Sequence, residues 1–218
     1  MESEFWHQRW QQNQIGFHES EVNPTLVQHL QALDLTGGQR VFVPLCGKTL
    51  DIGWLVEQGF TVAGAELSEL AVQQLFADLG VDPVVTQVGE LMHYKANGLD
   101  IYAGDIFNLS ANVLGQVDAI YDRAAMVAVP EAMRQQYAAH LVSVTSAAPQ
   151  LLITFEYDQR LMDGPPFCVP NDEVRQHYAS HYELKTLSSK PVSGGLKGKT
   201  NATANVWLLR AESQPRYG

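Results

Sequence analysis

Short apolar runs at residues 40–45 (RVFVPL), 60–67 (FTVAGAEL), 117–121 and 151–155 alternate with segments of helical periodicity. This alternation constrains the fold more than any other feature of the chain. Between the first two runs, Leu50, Ile52, Trp54, Leu55 and Val56 fall in one helical segment that Gly59 closes. After the second, Ser68 is placed to cap a helix running to about Gly80, with Leu70, Val72, Leu75 and Phe76 facing inward. Strand, helix, strand, helix at this spacing predicts parallel βαβ units with right-handed crossovers. Upstream, Asn23 and Pro24 supply the cap and first-turn residue of a helix whose apolar face is Leu26, Val27, Leu30 and Leu33. Downstream, residues 92–94 and 100–102 read as a hairpin, 130–144 as a helix, and another helix starts at Asn171. The runs 182–187 and 202–209 read as an antiparallel pair around a Gly-rich loop. The expected fold is therefore α/β, a sheet of about seven strands with helices on both faces.

A chain of 218 residues is long enough to bury a core without staples. We expect a lid segment at 1–22, a body at 23–210 and a tail at 211–218. The first segment is polar yet carries Phe5, Trp6, Trp10, Ile15 and Phe17. Rings packed so densely into a polar stretch cover something, either the core or a ligand. The 14 Lys and Arg against 24 Asp and Glu give a formal charge of −10, which repels phosphate backbones and argues against nucleic acid. No polybasic patch points to a membrane surface, and no apolar run is long enough to span a bilayer. The N-terminus lacks the basic and apolar regions of a signal peptide. Two cysteines, Cys46 and Cys168, do not make a disulfide framework. A reducing cytoplasm is the expected setting, with a monomer acting on a small-molecule acceptor. His177 and His181 have helical separation but no third ligand, so no metal is expected.

In open α/β sheets, ligands lie beyond the carboxyl ends of the strands. Glu66 ends the second strand about 20 residues past the first loop, where dinucleotide-type sites place an acid on ribose hydroxyls. A carboxylate offers the paired acceptors that suit a vicinal diol. The alternative is an acid that supports the helix opened by Ser68. The loop at Cys46-Gly47-Lys48-Thr49 resembles the end of a P-loop, but Phe42 stands where that motif needs glycine. The dinucleotide fingerprint needs three glycines and this loop has Gly47 alone. Pro44 and Leu45 block the approach of a pyrophosphate. The loop therefore suits a nucleoside without a phosphate chain, such as S-adenosylmethionine, with Gly47 a cofactor contact; the alternative is an ordinary βα turn. Asp105 and Ile106 either clamp adenine or serve as a loop acid and a core residue. Arg123 either lies near the ligand's charged end or simply pairs with Asp122.

Together these segments resemble the thiopurine S-methyltransferase family. The resemblance rests on Phe5-Trp6 through Trp10, Ile15-Gly16-Phe17-His18, the loop VFVPLCGKTLDIG at 41–53, Gly64-Ala65-Glu66-Leu67-Ser68, Gly104-Asp105-Ile106-Phe107, YDRAAMVAVP at 121–130 and Gly164-Pro165-Pro166-Phe167. It spans nearly the whole chain. The family implies a class I methyltransferase (Rossmann-like) sheet, mostly parallel with the last strand antiparallel. It implies S-adenosylmethionine contacts at Trp10, Leu45, Glu66 and Arg123, and places Phe17 and Arg123 near the acceptor. Mammalian members carry an arginine in the loop before the last strand; here that region has Lys190, Lys197 and Lys199 and no arginine. Bacterial members are also associated with selenium and tellurium compounds. The expected activity is methyl transfer to the sulfur of thiopurines or similar soft nucleophiles, with Arg123 as the catalytic residue. The rivals are a nicotinamide-dependent oxidoreductase and a non-catalytic nucleoside-binding domain.

Overall fold

The computed structural model describes residues 3–16 and 18–211. Phe17 and nearly all of the expected tail lie outside them. The chain opens with helix α1 (Ser3–Gln11) and a linking segment, then α2 (Pro24–His29), which Asn23 caps by accepting the Thr25 N–H. The alternation follows as β1 (Arg40–Pro44), α3 (Leu50–Glu57), β2 (Thr61–Glu66) and α4 (Glu69–Leu79). Next come β3 (Val84–Val88), β4 (Leu91–Ala96), β5 (Leu99–Ala103), α5 (Ala111–Leu114) and β6 (Ala119–Asp122). The chain closes with α6 (Glu131–Thr145), β7 (Gln150–Glu156), α7 (Asn171–Tyr178), β8 (Glu183–Pro191) and β9 (Thr203–Arg210).

One sheet holds nine strands in the order β3-β4-β5-β2-β1-β6-β7-β9-β8. β5, β2, β1, β6 and β7 are parallel, and β9 enters antiparallel between β7 and β8. The expectation of about seven strands is corrected to nine: at one edge β4 forms the expected antiparallel hairpin with β5, and β3 adds outside it. β3 escapes a sequence reading for a physical reason. Val84 is 68% exposed and Val85 43%, so backbone pairing with β4 holds this strand rather than a buried face.

Side chains alternate across the sheet and build two cores. Phe42, Ile120, Leu152 and Trp207 pack with Tyr137 and Leu141 of α6 and Val174 and Tyr178 of α7. Val41, Val43, Tyr121, Leu151 and Ile153 face the other way, onto Leu26 of α2, Ile52 and Leu55 of α3, and Val72 and Leu75 of α4. Two residues assigned to inward helix faces are solvent-facing, Val27 at 52% and Leu70 at 37% exposure. On α2 the buried residue is Leu26, and Val27, the next position round the helix, lies off that face. Leu70 sits in the first turn of α4, outside the stripe formed by Ala71, Val72, Leu75 and Phe76. Both cysteines are free. Among the described residues no cluster suited to a metal occurs, and no helix is long and apolar enough to cross a membrane.

Candidate active site

The parallel strands β2, β1 and β6 end together, and the residues that follow them line a cavity of about 650 Å³. Two of these exits carry non-glycine residues with left-handed backbone, Leu45 after β1 (φ 46°) and Ala124 after β6 (φ 59°). Such conformations cost about 1–3 kcal/mol each and gather where a surrounding structure holds a site in shape. Both residues face the cavity.

Glu66 ends β2 and is 6% exposed. Its Oε2 accepts the Gly47 N–H at 2.8 Å and its Oε1 accepts the Ser68 N–H at 2.8 Å. Burial pushes its carboxyl above the usual carboxylate range, against the backbone N–H groups of Ser68, Gly47 and Leu67, which hold it down. The two roles considered for Glu66 from sequence do not exclude one another. It supports the start of α4, where Ser68 Oγ accepts the Ala71 N–H, and it also lines the cavity. A carboxylate has about four acceptor positions, so two remain for a diol.

Gly47 adopts φ 54°, and a Cβ there would lie 3.1 Å from the Trp10 ring. Glycine is therefore needed twice over, for the backbone and for the close approach of the ring. Trp10 is 4% exposed, so α1 lays this ring over the loop after β1. Phe5 and Trp6 meet edge to face, and Trp6 also lines the cavity.

Strand alternation separates Asp122 from Arg123. Asp122 turns to the α6 side, where it accepts the Tyr137 hydroxyl at 2.8 Å and the Met126 N–H at 3.0 Å. Burial raises its pKa to about 6, opposed by those two hydrogen bonds. Arg123 turns to the cavity and pairs with Glu19 of the segment after α1. The Asp122–Arg123 pairing considered from sequence does not form.

Asp105 and Ile106 follow β5, beside β2, where the Gly104 N–H donates to the Glu66 carbonyl at 2.9 Å. Neither lines the cavity. Asp105 accepts the Phe107 N–H and is exposed, while Ile106 is 2% exposed in the core. In the structure Asp105 is a loop acid and Ile106 a core residue.

The opposite wall is apolar, with Phe155, Pro165, Pro166, Val192 and Leu196. Lys197 joins it, its amine donating to the Pro165 carbonyl at 2.7 Å. Lys190 and Lys199 do not line it. Sequence reasoning assigned no role to Asp51, Tyr121, His18 or Glu19. Asp51 is 1% exposed, accepting the Tyr121 hydroxyl at 3.0 Å and the Asn23 N–H at 2.8 Å. An acid inside the apolar stripe of α3 was the available signal for it.

The chain matches the family model for thiopurine S-methyltransferase (TPMT) over residues 1–210. A thiopurine S-methyltransferase of Xanthobacter autotrophicus is 56% identical over 210 residues, with 96% of this chain and 99% of that protein covered. One of Teredinibacter turnerae is 53% identical over 209 residues, covering 96% of this chain and 97% of the relative. Among solved structures, the fold is similar to Burkholderia thailandensis 1,6-didemethyltoxoflavin-N1-methyltransferase with bound 1,6-didemethyltoxoflavin and S-adenosylhomocysteine. That match has a TM-score of 0.65 at 14% identity, covering 95% of this chain and 87% of the other. An S-adenosylmethionine-dependent methyltransferase of Anabaena variabilis gives 0.62 at 12% identity, covering 95% of each chain.

Proposed function

This chain belongs to the thiopurine S-methyltransferase family, and on that premise we propose that it methylates the sulfur of thiopurines or similar small soft nucleophiles, using S-adenosylmethionine. The observation that carries the reading is Glu66, held by the Gly47 and Ser68 amides at the end of β2 with its carboxylate on the cavity. A loop with one glycine and a Leu45 side chain turned into the site fits a nucleoside joined to an amino acid, not a pyrophosphate. When bound, S-adenosylmethionine supplies an electrophilic methyl group on a sulfonium.

The protein's own contribution is position and exclusion of water. Glu66 accepts from two ribose hydroxyls. Leu45 and Gly47 form the floor beneath the nucleoside stem, and Trp10 covers it. Arg123 gives up Glu19 and takes a carboxylate or a negatively charged acceptor. The apolar wall of Phe155, Pro165 and Pro166 receives a flat, weakly hydrated acceptor ring. We place the enzyme in the cytoplasm as a monomer, with the two free cysteines supporting a reducing compartment.

Thermal unfolding with added ligands tests this reading. S-adenosylhomocysteine should raise the melting temperature by linkage, and NADH and ATP should leave it unchanged. Stabilisation by NADH alone would refute the reading.

A further inference from the structure

We infer that His18 is the base that takes the acceptor's proton, turning a neutral thiol or N–H thione into a sulfur nucleophile inside the cavity. The inference rests on the methyl-transfer reading above. It starts from what each proton-accepting group lining the cavity already does. Glu66 is buried and bound by two backbone amides. Asp51 is buried under the Asn23 amide and the Tyr121 hydroxyl, which also occupies Tyr121. Burial holds the Cys46 thiol protonated, its pKa pushed well up. Glu19 is held by Arg123 until a ligand displaces it, and its side chain is then about half exposed to water rather than enclosed with the acceptor, while the Lys197 amine donates to Pro165. His18 differs from all of these. Its ring lines the cavity, is part-exposed, and makes no hydrogen bond among the described residues.

Its placement also suits the role. The His18 N–H donates to the Ile15 carbonyl at 2.7 Å, in the segment between α1 and α2. From there the ring lies within the electrostatic reach of charges on several elements: Lys48 after β1, Asp78 on α4, Arg123 after β6, and the adjacent Glu19. β1 and β6 are neighbours, and His18 lines the cavity that the residues after these strands build. Partial burial, then Lys48 and Arg123, push its pKa below the ordinary imidazole value, against Asp78 and Glu19. The ring is thus neutral at neutral pH and able to accept, while the nearby cations favour an anionic sulfur.

The balance is simple. The acceptor's S–H or N–H proton passes to an imidazole nitrogen. The acceptor sulfur then forms its bond to the methyl carbon as the donor's C–S bond breaks, the electron pair staying on the departing sulfur. His18 returns the proton to water.

The test compares wild type with His18→Gln on two thiols. One is a nitro-substituted aryl thiol, ionised at neutral pH, and the other is a benzyl-type thiol, protonated there. His18→Gln should slow the benzyl-type thiol about 100-fold or more and the pre-ionised thiol less than about threefold. A readout without turnover accompanies it. In the complex with S-adenosylhomocysteine, absorbance should show the benzyl-type thiol ionising at lower pH in wild type than in the variant. Equal losses on both thiols, no loss on either, or identical ionisation curves would overturn the role for His18 while leaving methyl transfer intact. A thiopurine serves as the control: wild type that methylates the thiopurine and neither thiol would overturn the role for His18, and wild type that methylates none of the three would overturn the functional reading.

Discussion

The Glu66 carboxylate accepts the Gly47 amide at 2.8 Å, tying the end of β2 to the loop that follows β1. The bond has two consequences that one variant separates. Glu66→Ala removes the acceptor pair for the ribose hydroxyls, and hydrogen bonds to charged groups are worth about 1.5–3 kcal/mol. Calorimetry should show S-adenosylhomocysteine affinity falling about tenfold to a hundredfold. The variant also leaves the Gly47 and Ser68 amides without their acceptor, at about 1–3 kcal/mol each. Its ligand-free melting temperature should fall as well. Lost stability with unchanged affinity would leave Glu66 only its role at the start of α4.

Glu19 and Arg123 predict a competition. In the structure the guanidinium is paired with Glu19, so a carboxylate ligand must displace that acid. Glu19 is about half exposed, and such ion pairs are worth about 0.2–1 kcal/mol. Glu19→Gln should therefore tighten S-adenosylhomocysteine binding by up to about fivefold, more at low salt than at high salt. Arg123→Ala should weaken it and slow methyl transfer. Weaker binding in Glu19→Gln would show that Glu19 supports the ligand rather than competing with it.

Much of this was legible in the residues, because burial and capping leave local marks. Apolar runs fixed the parallel centre of the sheet, and Asn23 and Ser68 fixed the starts of α2 and α4. Glu66 could be singled out because a charged residue closing an apolar strand is costly unless something uses it. The edge strand β3 was hidden because backbone pairing leaves no pattern in side chains. The roles of Asp122 and Arg123 were hidden because neighbours in sequence point to opposite sheet faces, with partners in α6 and in the segment after α1. His18 and Glu19 lie in an irregular segment without periodicity, so only the folded chain places them on the cavity.

Asp122 predicts a pH dependence. Its pKa is raised from 3.8 to about 6 because the charged form is buried. A raised acid costs nothing below its unfolded pKa, and the cost grows between 3.8 and about 6 and is complete above. The full displacement is worth about 3 kcal/mol. Asp122→Asn keeps an acceptor for the Met126 amide and can donate to the Tyr137 oxygen, so it removes the charge without emptying the site. Urea unfolding should show the variant gaining on wild type as pH rises from 4 to 8. A difference independent of pH would contradict the buried charge.

The N-terminal segment is proposed to act as a lid whose main anchor is Trp10, the only buried residue of α1. Trp10→Ala should leave the body folded and weaken S-adenosylhomocysteine roughly tenfold, the equivalent of losing about 1.5 kcal/mol of apolar cover. Hydrogen exchange in wild type should show the amides of Ser3–Gln11 exchanging quickly without ligand and slowly with it. Strong protection in both states would make the helix a fixed part of the body.

The central claim is transfer of a methyl group to sulfur, and product analysis tests it most directly. The protein is incubated with a thiopurine and S-adenosylmethionine carrying a deuterated methyl group, and the product is fragmented in a mass spectrometer. Methyl transfer to sulfur should give one labelled methyl on the thiopurine sulfur, formed only with the protein present and suppressed by S-adenosylhomocysteine. Folded protein that binds S-adenosylhomocysteine yet yields no labelled product, or product labelled on a ring nitrogen instead, would contradict it.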